Sequence, residues 1–497
     1  MESKIKREKV RFESLAADAH QQVTVEGECA LAGSMRDAVT ILSVQAQANI
    51  AQTQALTDRI GVKGRVCFQV LYTQGDLTKI RSIETTCDFV HELAAPGAAP
   101  GMRVEASAAV HETNGTAGSG RMALRALLKL RAQVFDRREE AAIADLDGEQ
   151  TLCIRRQTAL SQLCDLLGEE TALIREEFDL HERLQTDGVL TATGTATVTD
   201  ITGGNGRIGV SGTIEARVIH QPGRPGEPLV ETTHELPFQV TISAQASEGA
   251  KLEAAAEVMD VVADSFLADK QRTMRVEAEV RVRLISREEQ STELLEDVYS
   301  IDGPAIQPIA EEFDMCIAQS GEEVRESLRI SAVLPSDAPP ADTVLAAFAQ
   351  PVLSSVQPAG RRIGAEGVMN ITLVYLPLDS DIPYAVRTRE PFAMTFPTEA
   401  VEGVRAQAAV IECGVGPATS DRVELRCVLA LRTKGNSIRR VRIVRDIAEQ
   451  PEEKRGHGFV LIWPAPEESR WDTAKRLRVP QESLRSAGGN ALLAFRK

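Results

Sequence analysis

Aromatic residues are scarce. Phe, Tyr and Trp make up 4% of the 497 residues, so any core must be built mainly from Val, Ile, Leu and Ala. Long apolar runs are missing too: no segment approaches the ~18 consecutive apolar residues of a membrane-spanning helix. The opening residues, MESKIKREKVRF, lack the apolar stretch of a signal peptide. Both absences point to a cytosolic protein without a transmembrane segment. Basic charge is in deficit, and a net charge of −16 argues against a nucleic-acid partner, which needs a basic surface. It also argues against adhesion of the main body to anionic membranes.

Motifs of chemistry are absent as well. The eight cysteines contain no CxxC, and Cys67, Cys413 and Cys427 fall in strand-like runs. They read as reduced packing residues rather than disulfides or zinc ligands. The seven histidines, His20, His91, His111, His181, His220, His234 and His457, form no HExxH or close HxH, and no GxSxG elbow appears. Asp379-Ser380-Asp381 reads as a turn rather than a metal loop, because the corresponding turns near Gly75 and Pro222 carry no such carboxylate pair. Glu176-Glu177 and Glu311-Glu312 read as solvated element ends rather than acid/base pairs. The expectation is a protein that is not an enzyme, with no catalytic, metal or cofactor-binding residues.

What the chain does contain is a hexapeptide written three times: RIGVKG from Arg59, RIGVSG from Arg207 and RIGAEG from Arg362, 148 and 155 residues apart. These spacings are too long for a solenoid repeat of about 20–50 residues and match a domain of roughly 100–200. Two-residue alternation follows each copy: Val66, Phe68, Val70, Tyr72; then Ile214, Ala216, Val218, His220; then Met369, Ile371, Leu373, Tyr375. Period two marks a strand with one buried face. A second alternating run opens downstream at Met122, Met274 and Val423, and a middle run carries Phe89, Phe238 or Phe392. Turn clusters separate the runs, at Gly75, Pro222 and Pro377, as in antiparallel β-structure.

In this pattern RIG starts a core strand, with the isoleucine buried and the glycines allowing a bend or bulge. A phosphate loop is the weaker reading, because no helix follows and neither a GxGxxG pattern nor a GK[ST] ending is present. Upstream, Glu176-Glu177-Phe178-Asp179 is echoed by Glu311-Glu312-Phe313-Asp314 and more weakly by Arg11-Phe12-Glu13. Residues 137–150 and 286–296 are polar and helix-prone, 158–167 has helical apolar spacing, and 446–458 reads as a charged linker.

After residue 458 the pattern changes. Phe459 to Trp463 reads as a short strand, Trp471, Ala474 and Leu477 share a helical face, Pro480 opens a second short helix, and 491–495 closes as a strand. So small a βααβ unit is marginal alone. Its helical face should pack on strands around Ile462 and Leu493. Charge also reverses: residues 454–497 carry nine Lys/Arg and four Asp/Glu, a net of +5 against −21 for the rest. A cationic module on an anionic body suits an acidic partner.

The tripled unit, above all VEGECALAGSMRDAVTILSVQAQ followed by RIGVKGRVCFQVLYTQGD, resembles the SPOCS domain of clostridial spore-coat assembly proteins. The tail WDTAKRLRVPQESL resembles the central helices of a LysM domain, and the order of units is that of SipL-type spore morphogenetic proteins. The resemblance implies a mainly β chain: three antiparallel SPOCS-like repeats at 1–140, 150–290 and 295–445, a linker at 446–458 and a degenerate LysM-like domain at 459–497. It also implies a non-enzymatic scaffold of the endospore coat in the mother-cell cytosol, at the forespore surface. Its LysM-like tail would dock onto a coat-basement morphogenetic ATPase, and other coat proteins are further implied partners. The tail departs from glycan-binding LysM: Glu467-Glu468-Ser469 stands for Gly-Asp-Thr, and Ser486-Ala487-Gly488-Gly489-Asn490 for the loop ending in Asn-Pro. These departures favour a protein ligand over peptidoglycan, with a glycan-binding protein as the alternative. The candidate partner contact is the exposed charged face of the first helix, Arg470, Lys475, Arg476 and Arg478, with Trp471 as a further candidate.

Overall fold

The alternation after each RIG string is realised as a strand at the centre of a three-stranded sheet. The computed structural model describes residues 4–31, 38–118, 120–147, 151–180, 186–204, 206–224, 226–268, 271–359, 362–397, 404–451, 458–488 and 490–496. The first segment forms β1 (Lys4–Ala30), β2 (Val39–Leu56), β3 (Arg59–Gln74), β4 (Asp76–Ala94), β5 (Arg103–Gly118) and β6 (Arg121–Asp147). The second forms β7 (Leu152–Asp179), β8 (Thr186–Gly204), β9 (Arg207–Pro222), β10 (Val230–Ser243), β11 (Lys251–Ala268) and β12 (Gln271–Ser300). The third forms β13 (Ala305–Val333), β14 (Ala341–Ala359), β15 (Arg362–Pro377), β16 (Tyr384–Pro397), β17 (Arg405–Ala418) and β18 (Arg422–Gln450).

Each segment builds two antiparallel sheets, β2-β3-β4 with β1-β6-β5 in the first, and the corresponding pairs in the others. The two sheets close on one core per segment. Phe68, Ala216 and Ile371, each four residues after the second RIG glycine, are all buried.

The repeated hexapeptide has a steric cause. Gly64, Gly212 and Gly367 stand directly opposite Phe89, Phe238 and Phe392 on the next strand. A Cβ on Gly64 would lie 2.5 Å from both the Asn49 carbonyl oxygen and the Phe89 ring, and the other two glycines would collide with Thr197 and Val352 in the same way. The neighbouring strand bulges at this height, leaving Ala51, Thr199 and Ser354 unpaired. The glycine thus makes room for a bulge and for a phenylalanine lying over the backbone.

A second set of bulges re-aims three leucines. Leu42, Leu190 and Leu345 are each skipped in the ladder. They meet one another in a buried cluster with Leu71 and Val374, and Ile219 packs against it. Side chains that would have faced solvent on single sheets become the contact among the three segments.

The outer strands run past the sandwiches as two-stranded arms. Beyond Phe135, Arg287 and Lys434, strands β6, β12 and β18 keep only one partner each, β1, β7 and β13. The three arms pack together through Val10, Phe12, Ala159, Leu294, Phe313 and Ile443, with the Phe12 and Phe313 rings 5.4 Å apart. Nearer their tips, Ile143, Leu146, Leu295, Val298, Ile306 and Val444 form another shared cluster. Hydrogen bonds join every pair of segments: Gln69 to Ala192 O, Arg217 to Ile411 O and Asn370 to His111 O. The three sandwiches therefore close into a ring within one chain.

Several sequence expectations change here. Residues 137–147, 158–167 and 286–296 are strands of the arms, not helices. The helical spacing at 158–167 arose because the arm is covered on both faces: Ser161, Gln162, Leu163 and Cys164 are all buried. The echo of Phe178 with Phe313 fails. Phe12 and Phe313 precede the bulges at Ala16 and Ile317, whereas Phe178 lies beyond the bulge at Leu167, opposite Met274. The expected linker begins as strand, since Asp446–Gln450 pair with β13; residues 452–457 lie outside the described residues.

The tail comprises β19 (Gly458–Ile462), α1 (Arg470–Leu477), a 3-10 turn (Gln481–Ser483), β20 (Arg485–Gly488) and β21 (Ala491–Arg496), with sheet order β19-β21-β20. The second expected helix is only the 3-10 turn behind Pro480, and β20 is an added strand. Trp471, Ala474 and Leu477 do share a core with Ile462, but Leu492 rather than Leu493 joins them.

Candidate functional site

The helix α1 is cut to length by its own residues. Ser469 caps it in a reciprocal box with Asp472, and Arg478 closes it at φ 55°, the left-handed region that a non-glycine residue enters at a cost. The Arg478 guanidinium explains the tolerance. It donates to Ser300 O (2.7 Å), Ser300 Oγ (2.6 Å) and Gly303 O (2.7 Å), at the point where β12 ends. This clamp joins the tail to the arm of the second segment.

Beside it, Trp471 is 8% exposed and stacks edge-on against Tyr299, ring centroids 5.0 Å apart. Trp471 Nε1 donates to Asp297 Oδ2 at 2.7 Å, and Lys475 Nζ to Asp297 Oδ1 at 2.5 Å. Tyr299 Oη donates to Val479 O at 2.8 Å. Burial pushes the Asp297 carboxyl up, but hydrogen bonds from Lys475 and Trp471 outweigh it and leave the group below the ordinary carboxylate value. Burial also raises the Tyr299 phenol, which stays a neutral donor.

The five candidate residues are thereby separated. Arg478 is buried and Lys475 half-buried, both against β12, so the expectation of an exposed helix face is corrected for these two, while Trp471 packs inward with Ala474 and Leu477 as expected. The side chains of Arg470 and Arg476 remain accessible, held by Leu484 O (2.6 Å) and by Glu468 (2.9 Å). Glu468 and Ser469 serve the helix start rather than an open loop.

The receiving carboxylate was missed, although the sequence carries a signal for it. Ile143-Ala144-Asp145-Leu146, Leu295-Glu296-Asp297-Val298 and Val444-Arg445-Asp446-Ile447 repeat an aliphatic, one residue, Asp, aliphatic pattern. Each aspartate follows a bulged residue and accepts the next backbone N–H. Asp145 then pairs with Arg156 of the second arm (2.7 Å), and Asp446 with Arg7 of the first (3.3 Å). The register position held by Arg7 and Arg156 is Ala310 in the third arm. Asp297 thus lacks an arm arginine, and the tail supplies Lys475 in its stead.

Elsewhere the titratable groups serve structure. All eight cysteines are free thiols, Cys413 and Cys427 facing each other with sulfurs 3.5 Å apart. His220 occupies the strand position of Tyr72 and Tyr375, fully buried, and burial pushes it down to about 4. Glu177 pairs with Arg275 and Glu311 with Arg445. Among the described residues no group of three His, Cys, Asp or Glu is placed to hold a metal ion, and no helix is long and apolar enough to cross a membrane.

Residues 37–116, from β2 to β5 of the first sandwich, match the family described as SipL, SPOCS domain. Over these residues the chain is similar to the SPOCS domain of SipL proteins, a domain family of sporulation. No curated protein and no solved structure matches the chain.

Proposed function

We propose that this protein is a non-enzymatic scaffold of endospore coat assembly, working in the mother-cell cytosol at the forespore surface. The SPOCS match on the first sandwich carries the reading. The same glycine–phenylalanine pairing and bulges recur in the other two sandwiches, which extends it along the chain. A ring closed within one chain holds its single cationic tail at a fixed place, an arrangement suited to presenting surfaces rather than turning over a substrate. In this reading the tail contacts a coat-basement morphogenetic ATPase, with Arg470 and Arg476 available on the helix. Trp471, Lys475 and Arg478 contribute by holding the tail on the arms. The test is co-precipitation of the full chain with that ATPase and its localisation in sporulating cells, each compared with a chain ending at residue 457. Equal binding by both chains, or tight retention of the full chain on purified peptidoglycan without the ATPase, would replace this reading.

A further inference from the structure

The tail sheet has two faces, and among the described residues only one is covered. Val460, Ile462, Leu492 and Ala494 turn inward against α1 and Tyr299. The alternate residues turn out: Phe459 is 76% exposed, Leu461 49%, Trp463 67% and Phe495 48%. In the ladder Phe459 stands opposite Phe495, their rings 5.0 Å apart, and Leu461 stands opposite Leu493. A chain with so few aromatics leaves two phenylalanines of this small sheet in water, and Trp463, just past the end of β19, with them. β19 is also an edge, since β21 is its only neighbour among the described residues.

Resting on the scaffold reading above, we infer that this outer face is the tail's docking surface. Its occupant would be an extended, apolar and acidic segment of a partner protein, added as a fourth strand along β19. Charge selects the acidic occupant. Arg485 lies opposite Leu493 at the rim, exposed, with no carboxylate pairing to it among the described residues. In sequence, Arg496-Lys497 follow Phe495. Area argues against a second copy of this chain. Three partly exposed aromatics and their leucines offer on the order of 500 Å², below the roughly 800 Å² per partner of a stable interface. Strand addition makes up the difference with backbone hydrogen bonds that a face-to-face dimer does not form.

The experiment uses the full chain and the purified coat-basement ATPase as probe. Phe459→Thr/Trp463→Thr keeps strand propensity and leaves the inward face intact; its thermal melt should match the parent. Affinity should fall about 30-fold, the loss of a hot-spot aromatic. The amides of β19 should gain hydrogen-exchange protection in the parent complex. Leu173→Thr, removing an equally exposed leucine from β7, should bind as the parent does. If the parent binds but the double variant binds equally, or β19 gains no protection, the docking surface is elsewhere and the scaffold reading survives. If the parent chain does not bind at all, both fall. A concentration-dependent dimer abolished by the double variant would name a second copy as the occupant and overturn the proposal.

Discussion

The tips of the three arms carry the same aspartate, but only one tip holds the tail. At the first and third, Asp145 and Asp446 are half-exposed and pair with an arginine from a neighbouring arm. At the second, Asp297 is 3% exposed and takes Lys475 and Trp471 from the tail. The difference comes from one missing partner, because Ala310 stands where the other arms have arginine. A repeated architecture thus gains a unique site by subtraction as well as addition.

The largest expected effect breaks that site. Asp297→Ala leaves the buried Trp471 N–H and the half-buried Lys475 without their acceptor, and should cost about 2–4 kcal/mol of tail docking. Asp145→Ala and Asp446→Ala should each cost within about 1 kcal/mol, as exposed pairs do. Limited proteolysis and Trp471 fluorescence read the difference; equal effects at all three tips would refute the distinction. Lys475→Glu/Arg478→Glu should release the tail in the same assay. The Asp297 carboxyl titrates lower folded than unfolded. Its contribution is therefore complete above the unfolded value of about 3.9 and fades as pH falls below it.

The next prediction concerns another break in the equivalence. His220 stands where the other segments have tyrosine, and is held neutral with its folded pKa at about 4. Unfolded, it protonates near 6.5. Stability should therefore fall by roughly 2–3 kcal/mol between pH 6.5 and pH 4 through this residue. His220→Tyr should remove that part of the loss in pH-dependent denaturant melts.

Where the segments agree, effects should agree. Gly64→Ala, Gly212→Ala and Gly367→Ala each force a Cβ into a carbonyl and a phenyl ring, and should each cost about 1–3 kcal/mol. Gly61→Ala, whose Cβ has 3.8 Å of room, should be milder in the same melts. Smallest of all, Ala310→Arg restores the missing guanidinium as a competitor for Asp297. It should weaken tail docking by about 1 kcal/mol, seen as faster proteolysis near residue 457; unchanged cleavage would sever Ala310 from the argument.

The sandwiches were legible because their inner strands bury one face, and period two survives in Val66, Phe68 and Val70. The arms were not, because Ser161 to Cys164 are covered on both sides and polar residues there face other arms instead of water. The tail helix showed its buried stripe, Trp471, Ala474 and Leu477. Arg478 and Lys475 misled, since their charge suggested solvent while their partners lie on a strand some 180 residues away in sequence. Asp297 was hidden in a segment whose glutamates suggested a polar connector, and its aliphatic-x-Asp-aliphatic pattern, shared by all three arm tips, also occurs at 163–166, 198–201 and 258–261.

The Arg478 clamp has a mechanical consequence. It grips Ser300, the last residue of β12, and β12 is the central strand of its sheet, laddered to β7 along its length and to β11 for its first half. A pull on the tail enters this strand end-on. It loads the ladder in shear, so many hydrogen bonds resist together rather than opening one at a time. The tether would yield at the clamp before the sandwich behind it gives way.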